Sequence, residues 1–342
     1  MTKKRTIAAI GYAILAAVFY ALNMPLSKLL LGYVAPTFMA SFLYLGAGFG
    51  IMAVSLLSRE KQKENRLTKQ DLPYTIGMIV LDIVAPILLM LGLTSTSSAG
   101  ASLLNNFEIV VTSMIALVIF KEAISFWLWC GILFITVASI LLSVEDMSSL
   151  AFSGGSSLVL GATACWGMEN NCTRQISNKS TYKIVMLKGI FSGVGAFVVA
   201  SMMREPFPQM QYVGYAMLLG FVAYGLSIFF YIRAQKILGA AKTSAYYAVA
   251  PFIGALLSYI LIREPLVRHY GIALFVMVAG SVIVVVDTLL VRHCHAHSHT
   301  ITHTHNGSTH THSIIHVHSH HHVLEKDGHT HIHLPAVYHG HT

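Results

Sequence analysis

The sequence has few charged residues. They make up 11% of its 342 residues, whereas soluble domains usually carry about 25%. It also lacks a Gly-rich phosphate-binding loop, a nucleotide-binding motif and a nucleophile motif, and its four cysteines form no recognisable disulfide framework. The sequence therefore argues against a soluble enzyme, a disordered protein, a nucleic-acid-binding protein and a primary pump.

Apolar residues are abundant instead, since 55% of the chain is hydrophobic and the mean hydropathy is +0.66. A helix that crosses a membrane needs roughly 20 apolar residues, and the strands of a membrane barrel would be shorter and alternating. We therefore predict an all-α polytopic membrane protein with ten transmembrane helices. These predicted spans, numbered 1 to 10 below, cover residues 7–31, 35–58, 72–92, 97–120, 125–144, 154–174, 182–203, 211–235, 241–262 and 268–291.

Lysine and arginine are distributed unevenly between the connecting segments. If the N-terminus is inside, the cytoplasmic segments hold 15 of these residues and the outer segments hold three, Arg204, Arg263 and Arg268. The positive-inside rule then predicts that both termini are cytoplasmic. The first apolar run is too long for a cleaved signal peptide. We expect an integral protein of a bacterial cytoplasmic (plasma) membrane.

The two halves of the apolar body resemble each other. Residues 93–122 align without gaps with residues 235–264, at an offset of 142, and span 1 aligns with span 6. Because each half has five helices, the second half enters the membrane upside down. The predicted domains are an inverted pair of repeats, 7–145 and 152–291, and a histidine-rich tail, 292–342. Inverted repeats are typical of alternating-access transporters, whose substrate sites lie near the membrane midplane.

Several motifs are similar to those of EamA-type members of the drug/metabolite transporter superfamily. An aromatic stretch closes spans 1 and 6, at residues Tyr20 to Asn23 and Trp166 to Glu169, and a basic residue follows each stretch. Span 4 contains a matching Leu-Leu-x-x-x-Glu run at residues 103–108. The resemblance covers about residues 7–290. It implies ten helices in two EamA repeats and the export of small metabolites.

Charged and polar side chains also occur inside the predicted spans, where a charge costs about 2.5–3.5 kcal/mol on insertion scales. Carboxylates inside a membrane are suited to proton exchange, which favours proton-coupled transport. The three acids Glu108, Asp82 and Glu169 outnumber Lys188, the one base that lies deep in a span. This excess favours a cationic or zwitterionic substrate. The candidate residues of the substrate and proton pathway are Glu108, Asn105, Asn106, Asp82, Glu169, Asn23, Lys188 and Tyr247.

Two of these acids, Glu108 and Asp82, also have a structural interpretation. Glu108 is either a proton or cation site, or a buried carboxylate that Asn105 or a lysine of another helix satisfies. Asp82 either serves the pathway, pairs with Lys188, or caps a helix break at Pro86.

Asn23 is the repeat mate of Glu169, and these two residues are expected to flank one cavity. Tyr247 occupies the repeat position of Asn105. Its hydroxyl is suited to bind a substrate and its ring to stack on a cation, although packing is the alternative.

Eighteen of the 19 histidines lie in residues 293–342, mostly at every second position. This alternation puts them on one side of an extended chain, and neutral imidazole suits Zn, Ni, Cu and Co ions. We predict a tail that is disordered without metal. Its expected metal ligands are His293, His295, His297, His299, His303, His305, His316, His318, His320, His329, His331 and His333.

Three functions compete on this basis. The first is a secondary-active exporter of a small metabolite, whose tail buffers metal or regulates transport. The second is a transporter of a transition-metal ion or chelate, whose tail collects metal. The third is a membrane metal sensor or storage protein without transport. The first is favoured because the spans contain no histidine-rich midplane site. The expected partners are the lipid bilayer, a small-molecule substrate and metal ions, with no required cofactor, as a monomer or homodimer.

Overall fold

The computed structural model describes residues 3–57, 67–120, 125–146, 151–176, 179–238, 243, 246–263, 270–305 and 308–323. The chain forms two compact units, Met1–Val285 and Val286–Thr342. Helices α1 to α13 are, in order, Lys3–Ala21, Asn23–Leu30, Pro36–Leu57, Leu72–Ser95, Ser98–Leu104, Phe107–Phe120, Phe126–Ser143, Gly154–Gln175, Thr181–Met202, Met210–Gly220, Ser227–Leu238, Ala250–Ile262 and Tyr270–Leu289.

The helices occupy all ten predicted spans. Within the described residues, seven segments are long and apolar enough to cross a membrane, and Phe126–Leu142 and Ala250–Ile262 are shorter apolar helices. The apolar part of the chain is therefore all-α and polytopic, as predicted. A short antiparallel pair, β1 (Val144–Asp146) and β2 (Ala151–Phe152), lies between its two halves.

Four of the predicted spans are not continuous α-helices, and the interruption of span 9 is a turn at 248–249. Span 1 breaks at Leu22, between α1 and α2, and span 4 breaks at Asn105 and Asn106, between α5 and α6. Asparagine side chains compete for backbone hydrogen bonds and favour turns. The Asn106 N–H accordingly bonds the Leu103 carbonyl three residues back, at 3.0 Å. Span 8 contains a π-helical stretch, Phe221–Leu226, between α10 and α11.

Glycines allow α3, α9 and α10 to pack closely. A Cβ atom at Gly48 would lie 2.7 Å from the backbone nitrogen of Ile190, and one at Gly189 would collide with the backbone of Gly48. A Cβ at Gly46 would likewise collide with the backbone of Met217. Such approaches are typical of small residues at contacts between membrane helices. The close approach of Gly48 and Gly189 packs α9, the helix that carries Lys188, directly against α3.

The histidine-rich tail differs from its prediction. Instead of a disordered chain, the structure describes an antiparallel hairpin of β3 (Leu290–His305) and β4 (Ser308–Val323). The physical reason is the residues between the histidines, since threonine, isoleucine and valine favour extended backbone. The predicted ligands His329, His331 and His333 lie outside the described residues.

Candidate functional site

An ion-paired group of three side chains lies inside the apolar body. The Lys188 ammonium is 3.1 Å from a carboxylate oxygen of Asp82 and 2.9 Å from one of Glu169. The carboxylates are buried, with 0% and 2% of the residue exposed. Of the alternatives for Asp82, the pairing with Lys188 is therefore the one that the structure contains. The proposed break at Pro86 is wrong, since α4 continues through this proline.

Hydrogen bonds orient this charged group. The Tyr44 hydroxyl donates to the second carboxylate oxygen of Asp82 at 3.0 Å, and the Trp166 indole N–H donates to the Tyr44 hydroxyl at 3.3 Å. The Thr173 hydroxyl donates to Glu169. Helices α4, α8 and α9 thus meet at one ammonium group, and α3 joins them through Tyr44. The triad of Asp82, Glu169 and Lys188 links the first half of the chain to the second.

Glu108 has a different environment. The side-chain amide of Asn170 donates to its carboxylate at 2.5 Å. Neither Asn105 nor a lysine is this partner, so both sequence-based alternatives for the residue that satisfies Glu108 are wrong. In the part of the chain that the structure describes, Glu108 belongs to no ion pair. Because Asn170 directly follows Glu169, consecutive residues of α8 contact Lys188 and Glu108.

Tyrosines connect the ion-paired group to the broken spans. The Asn23 amide donates to the Tyr224 hydroxyl at 2.9 Å, and the rings of Tyr224 and Tyr44 are 5.3 Å apart between centroids. Asn23 and Glu169 therefore lie at the two ends of one continuous chain of contacts. The sequence pairs them as repeat mates, and the structure joins them through Tyr44, Asp82 and Lys188.

Both halves of the chain also meet around Tyr20. The Asn105 amide donates to its hydroxyl at 2.7 Å. The Tyr20 ring is 5.9 Å from the Tyr247 ring. Asn105 and Tyr247 are equivalent in the 142-residue repeat. Asn105 lies in a turn, and Tyr247 directly precedes the turn at 248–249, after which α12 begins at Ala250. Interrupted helices at matching repeat positions are characteristic of transporter binding sites.

The interruption of span 4 leaves buried polar atoms without hydrogen-bond partners. They are the Ser102 hydroxyl, the Asn105 side-chain oxygen and the Asn106 side-chain nitrogen. These residues are 2%, 6% and 2% exposed. An unsatisfied buried polar group costs about 1–3 kcal/mol, so two of them at the turn and a third in the helix just before it need an explanation. A bound polar molecule would satisfy them.

The structure adds residues that the sequence did not single out as site candidates. Trp166 and Tyr20 belong to the aromatic stretches of the family resemblance, and Asn170 adjoins an embedded acid, so these three carried a signal. Tyr44 carried no such signal in the sequence, because a single tyrosine in an apolar span is common. The residues added are Tyr20, Tyr44, Ser102, Trp166 and Asn170.

Where the structure describes side chains, it contains no group of three or more His, Cys, Asp or Glu residues arranged to hold a metal ion. The tail histidines fall outside this statement, because only the backbone of β3 and β4 is described.

The chain resembles proteins from two microorganisms. An uncharacterized transporter of Methanothermobacter thermautotrophicus is 24% identical over 287 residues, which cover 78% of this chain and 83% of the relative. The uncharacterized transporter YyaM of Bacillus subtilis is 22% identical over 252 residues, which cover 71% and 82%.

A crystal structure of another protein has the same fold, with a TM-score of 0.60 and 14% identity over 84% of this chain and 98% of that chain. The EamA-like transporter family matches the sequence twice, over residues 7–144 and 153–286. These two matches cover most of the chain and the whole charged and aromatic site, and they show that it belongs to the EamA-like transporter family, as an integral membrane transporter.

Proposed function

We propose that the protein is a secondary-active exporter of a small metabolite in which Glu108 carries the coupled proton. The observation that supports this proposal is the group of unsatisfied polar atoms at the break in span 4, directly before an acid that no ammonium group neutralises. Substrate binds at this break, and the ion-paired group of Asp82, Lys188 and Glu169 holds the surrounding helices together.

The unsatisfied atoms define the chemistry of the substrate. The Asn105 oxygen accepts a hydrogen bond, the Asn106 nitrogen donates, and the Ser102 hydroxyl does both. A ligand that satisfies all three carries donors and acceptors. The Glu108 carboxylate, two residues beyond Asn106, attracts an ammonium group. These features favour a small zwitterionic or cationic metabolite.

The neighbours of Glu108 support its role in proton coupling. Asn170 is neutral and cannot change its charge, so Glu108 is able to take up or release a proton without breaking an ion pair. Asp82 and Glu169 lack this freedom, since their protonation weakens the contacts with Lys188. Competition between a proton and a substrate ammonium group for Glu108 then couples the two fluxes.

The broken spans supply the moving parts. A π-helical turn and the interruptions near Leu22, Asn105 and Tyr247 are places where helix segments can change angle without losing a full set of backbone bonds. They surround Tyr20 and Tyr224. In this proposal both termini are cytoplasmic, and the tail binds transition metal in the cytoplasm as a buffer or regulator outside the substrate path.

The test is transport by the purified protein in proteoliposomes with a trapped pH-sensitive dye. Small amines and amino acids are added one at a time, and substrate-dependent proton movement is recorded. Glu108→Gln removes the titrating group and keeps the shape. We expect this variant to lose substrate-driven proton movement and the pH dependence of substrate flux.

Glu205→Gln is the matched control, because Glu205 accepts from the backbone N–H groups of Thr37 and Phe38 at the start of α3 and lies away from the site. It should transport like the unmodified chain. A Glu108→Gln variant with an unchanged pH profile would refute the assignment of the coupled proton. If no metabolite moves protons in the unmodified protein, proton coupling itself is wrong.

A further inference from the structure

The hairpin of the tail separates its histidines by face. Residues that oppose each other in an antiparallel pair lie on the same face, and neighbours along a strand lie on opposite faces. The register pairs Arg292 with His321 and His293 with His320. Of the 13 histidines in β3 and β4, twelve fall on one face and only His321 falls on the other.

Four of these positions in each strand oppose a histidine directly. The His–His pairs are 293 with 320, 295 with 318, 297 with 316, and 303 with 310. Opposed residues have Cβ atoms about 4.5–5.5 Å apart, and same-face neighbours along a strand follow at about 6.8 Å. Two adjacent pairs therefore bring four imidazoles within reach of one ion.

The register also divides the histidines of this face into two groups. At the centre of the hairpin, His299 opposes Ile314 and Ile301 opposes His312. The base group holds the three successive His–His pairs 293 with 320, 295 with 318 and 297 with 316, with His299 and His322 as same-face neighbours. The tip group holds the pair His303 and His310, with His305 and His312 as same-face neighbours.

We propose that the hairpin binds transition metal at two discrete sites, one between adjacent His–His pairs of the base group and one at the tip group. This inference rests on the proposed metal binding of the tail and deepens it. Each ion links β3 to β4, so that binding stabilises the hairpin and the register decides which histidines share an ion. The ligand set of neutral imidazoles suits Zn²⁺, Ni²⁺, Co²⁺ or Cu²⁺.

Two double variants with equal histidine counts test the proposal in the full-length protein in detergent, with Zn²⁺ as the probe. His295→Gln with His318→Gln removes the central pair of the base group. The remaining pairs of that group are then about 14 Å apart along the strands. We expect the ion of the base group to bind about tenfold more weakly or worse, while the tip site keeps its affinity.

His295→Gln with His310→Gln removes one histidine from each group. We expect both sites to weaken, by about tenfold or more, so that no ion binds with the original affinity. Calorimetric titration measures both affinities and stoichiometry. Hydrogen exchange of the backbone amides in residues 290–323 should slow when Zn²⁺ binds to the unmodified chain.

A variant truncated after residue 291 distinguishes failure of the two-site proposal from failure of metal binding by the tail as a whole. If the full-length protein binds no more Zn²⁺ than this truncated chain, the tail is not a metal-binding segment and both ideas are wrong. If it binds more but the two double variants behave alike, the tail is a pool of interchangeable ligands. In that case the hairpin sites are wrong and metal binding by the tail stands.

Discussion

The two acid environments of the apolar body differ in what neutralises them. Asp82 and Glu169 share the ammonium group of Lys188 at 3.1 and 2.9 Å, and Tyr44 and Thr173 donate further hydrogen bonds to them. Glu108 instead accepts one hydrogen bond from the neutral amide of Asn170. Asn170 directly follows Glu169, so one turn of α8 serves both environments.

This difference predicts different roles for the two environments. A buried ion pair that loses one partner leaves an uncompensated charge, which destabilises strongly. An acid held by an amide loses little when its charge is removed, because the hydrogen bond survives. The triad is therefore expected to dominate stability and Glu108 to dominate transport.

The largest effect is expected from Lys188→Met. This substitution leaves two buried carboxylates without their shared ammonium group, and breaking a buried pair costs about 3–5 kcal/mol. Thermal unfolding in detergent should show a large fall in midpoint. Lys183→Met is the control, since Lys183 is exposed and lies on the same helix, and it should leave the midpoint unchanged. Equal midpoints for the two variants would show that the triad is not a structural unit.

A smaller effect is expected from Asp82→Asn and Glu169→Gln. Each leaves Lys188 with one carboxylate, so the loss is that of a buried hydrogen bond to a charged group, about 1.5–3 kcal/mol. The two losses should be similar in unfolding measurements, because each acid also accepts one hydroxyl hydrogen bond, from Tyr44 or from Thr173.

A double-mutant cycle sharpens this prediction. Asp82→Asn combined with Lys188→Met should destabilise the protein less than the sum of the single changes, since contacting residues couple by about 0.5–3 kcal/mol. Strict additivity in unfolding measurements would contradict the pairing.

The smallest effect on stability is expected from Glu108→Gln, below about 1 kcal/mol, because the glutamine oxygen still accepts from Asn170. The unfolding midpoint should stay close to that of the unmodified chain, although coupling is lost in the transport assay. A midpoint as low as that of Asp82→Asn would remove the contrast between the two environments.

The tail provides a separate pH test. Histidine has a reference pKa of about 6.5 and binds metal only as neutral imidazole. Zn²⁺ binding to the full-length protein should therefore weaken as the pH falls through about 6.5. Binding that is equally tight at pH 5 and pH 7.5 would show that the imidazoles are not the ligands.

Much of the architecture followed from local properties of the sequence. Long apolar runs predicted the helices because each span must bury its own backbone polar groups, and the 142-residue offset revealed the two matching halves. The embedded charges also identified the region of interest. Pairing with Lys188 was one of the alternatives for Asp82, because a charge inside a membrane needs a partner.

Other features depended on the packing of elements distant in sequence. No local pattern indicates that Asn170 contacts Glu108, that Tyr44 bonds Asp82, or that Glu169 shares the ammonium group of Lys188. These contacts depend on how far each helix is rotated about its axis, and the close approach of Gly48 and Gly189 helps to determine that rotation.

The tail shows the same division between sequence and tertiary structure. The alternation of histidine with threonine and other β-branched residues by itself determined that the histidines share a side of an extended strand. The partner strand and its register decided that His295 opposes His318 while His299 opposes Ile314. A shift of one residue in that register would move one strand's histidines to the other face, so the two proposed sites depend on the register of the paired hairpin.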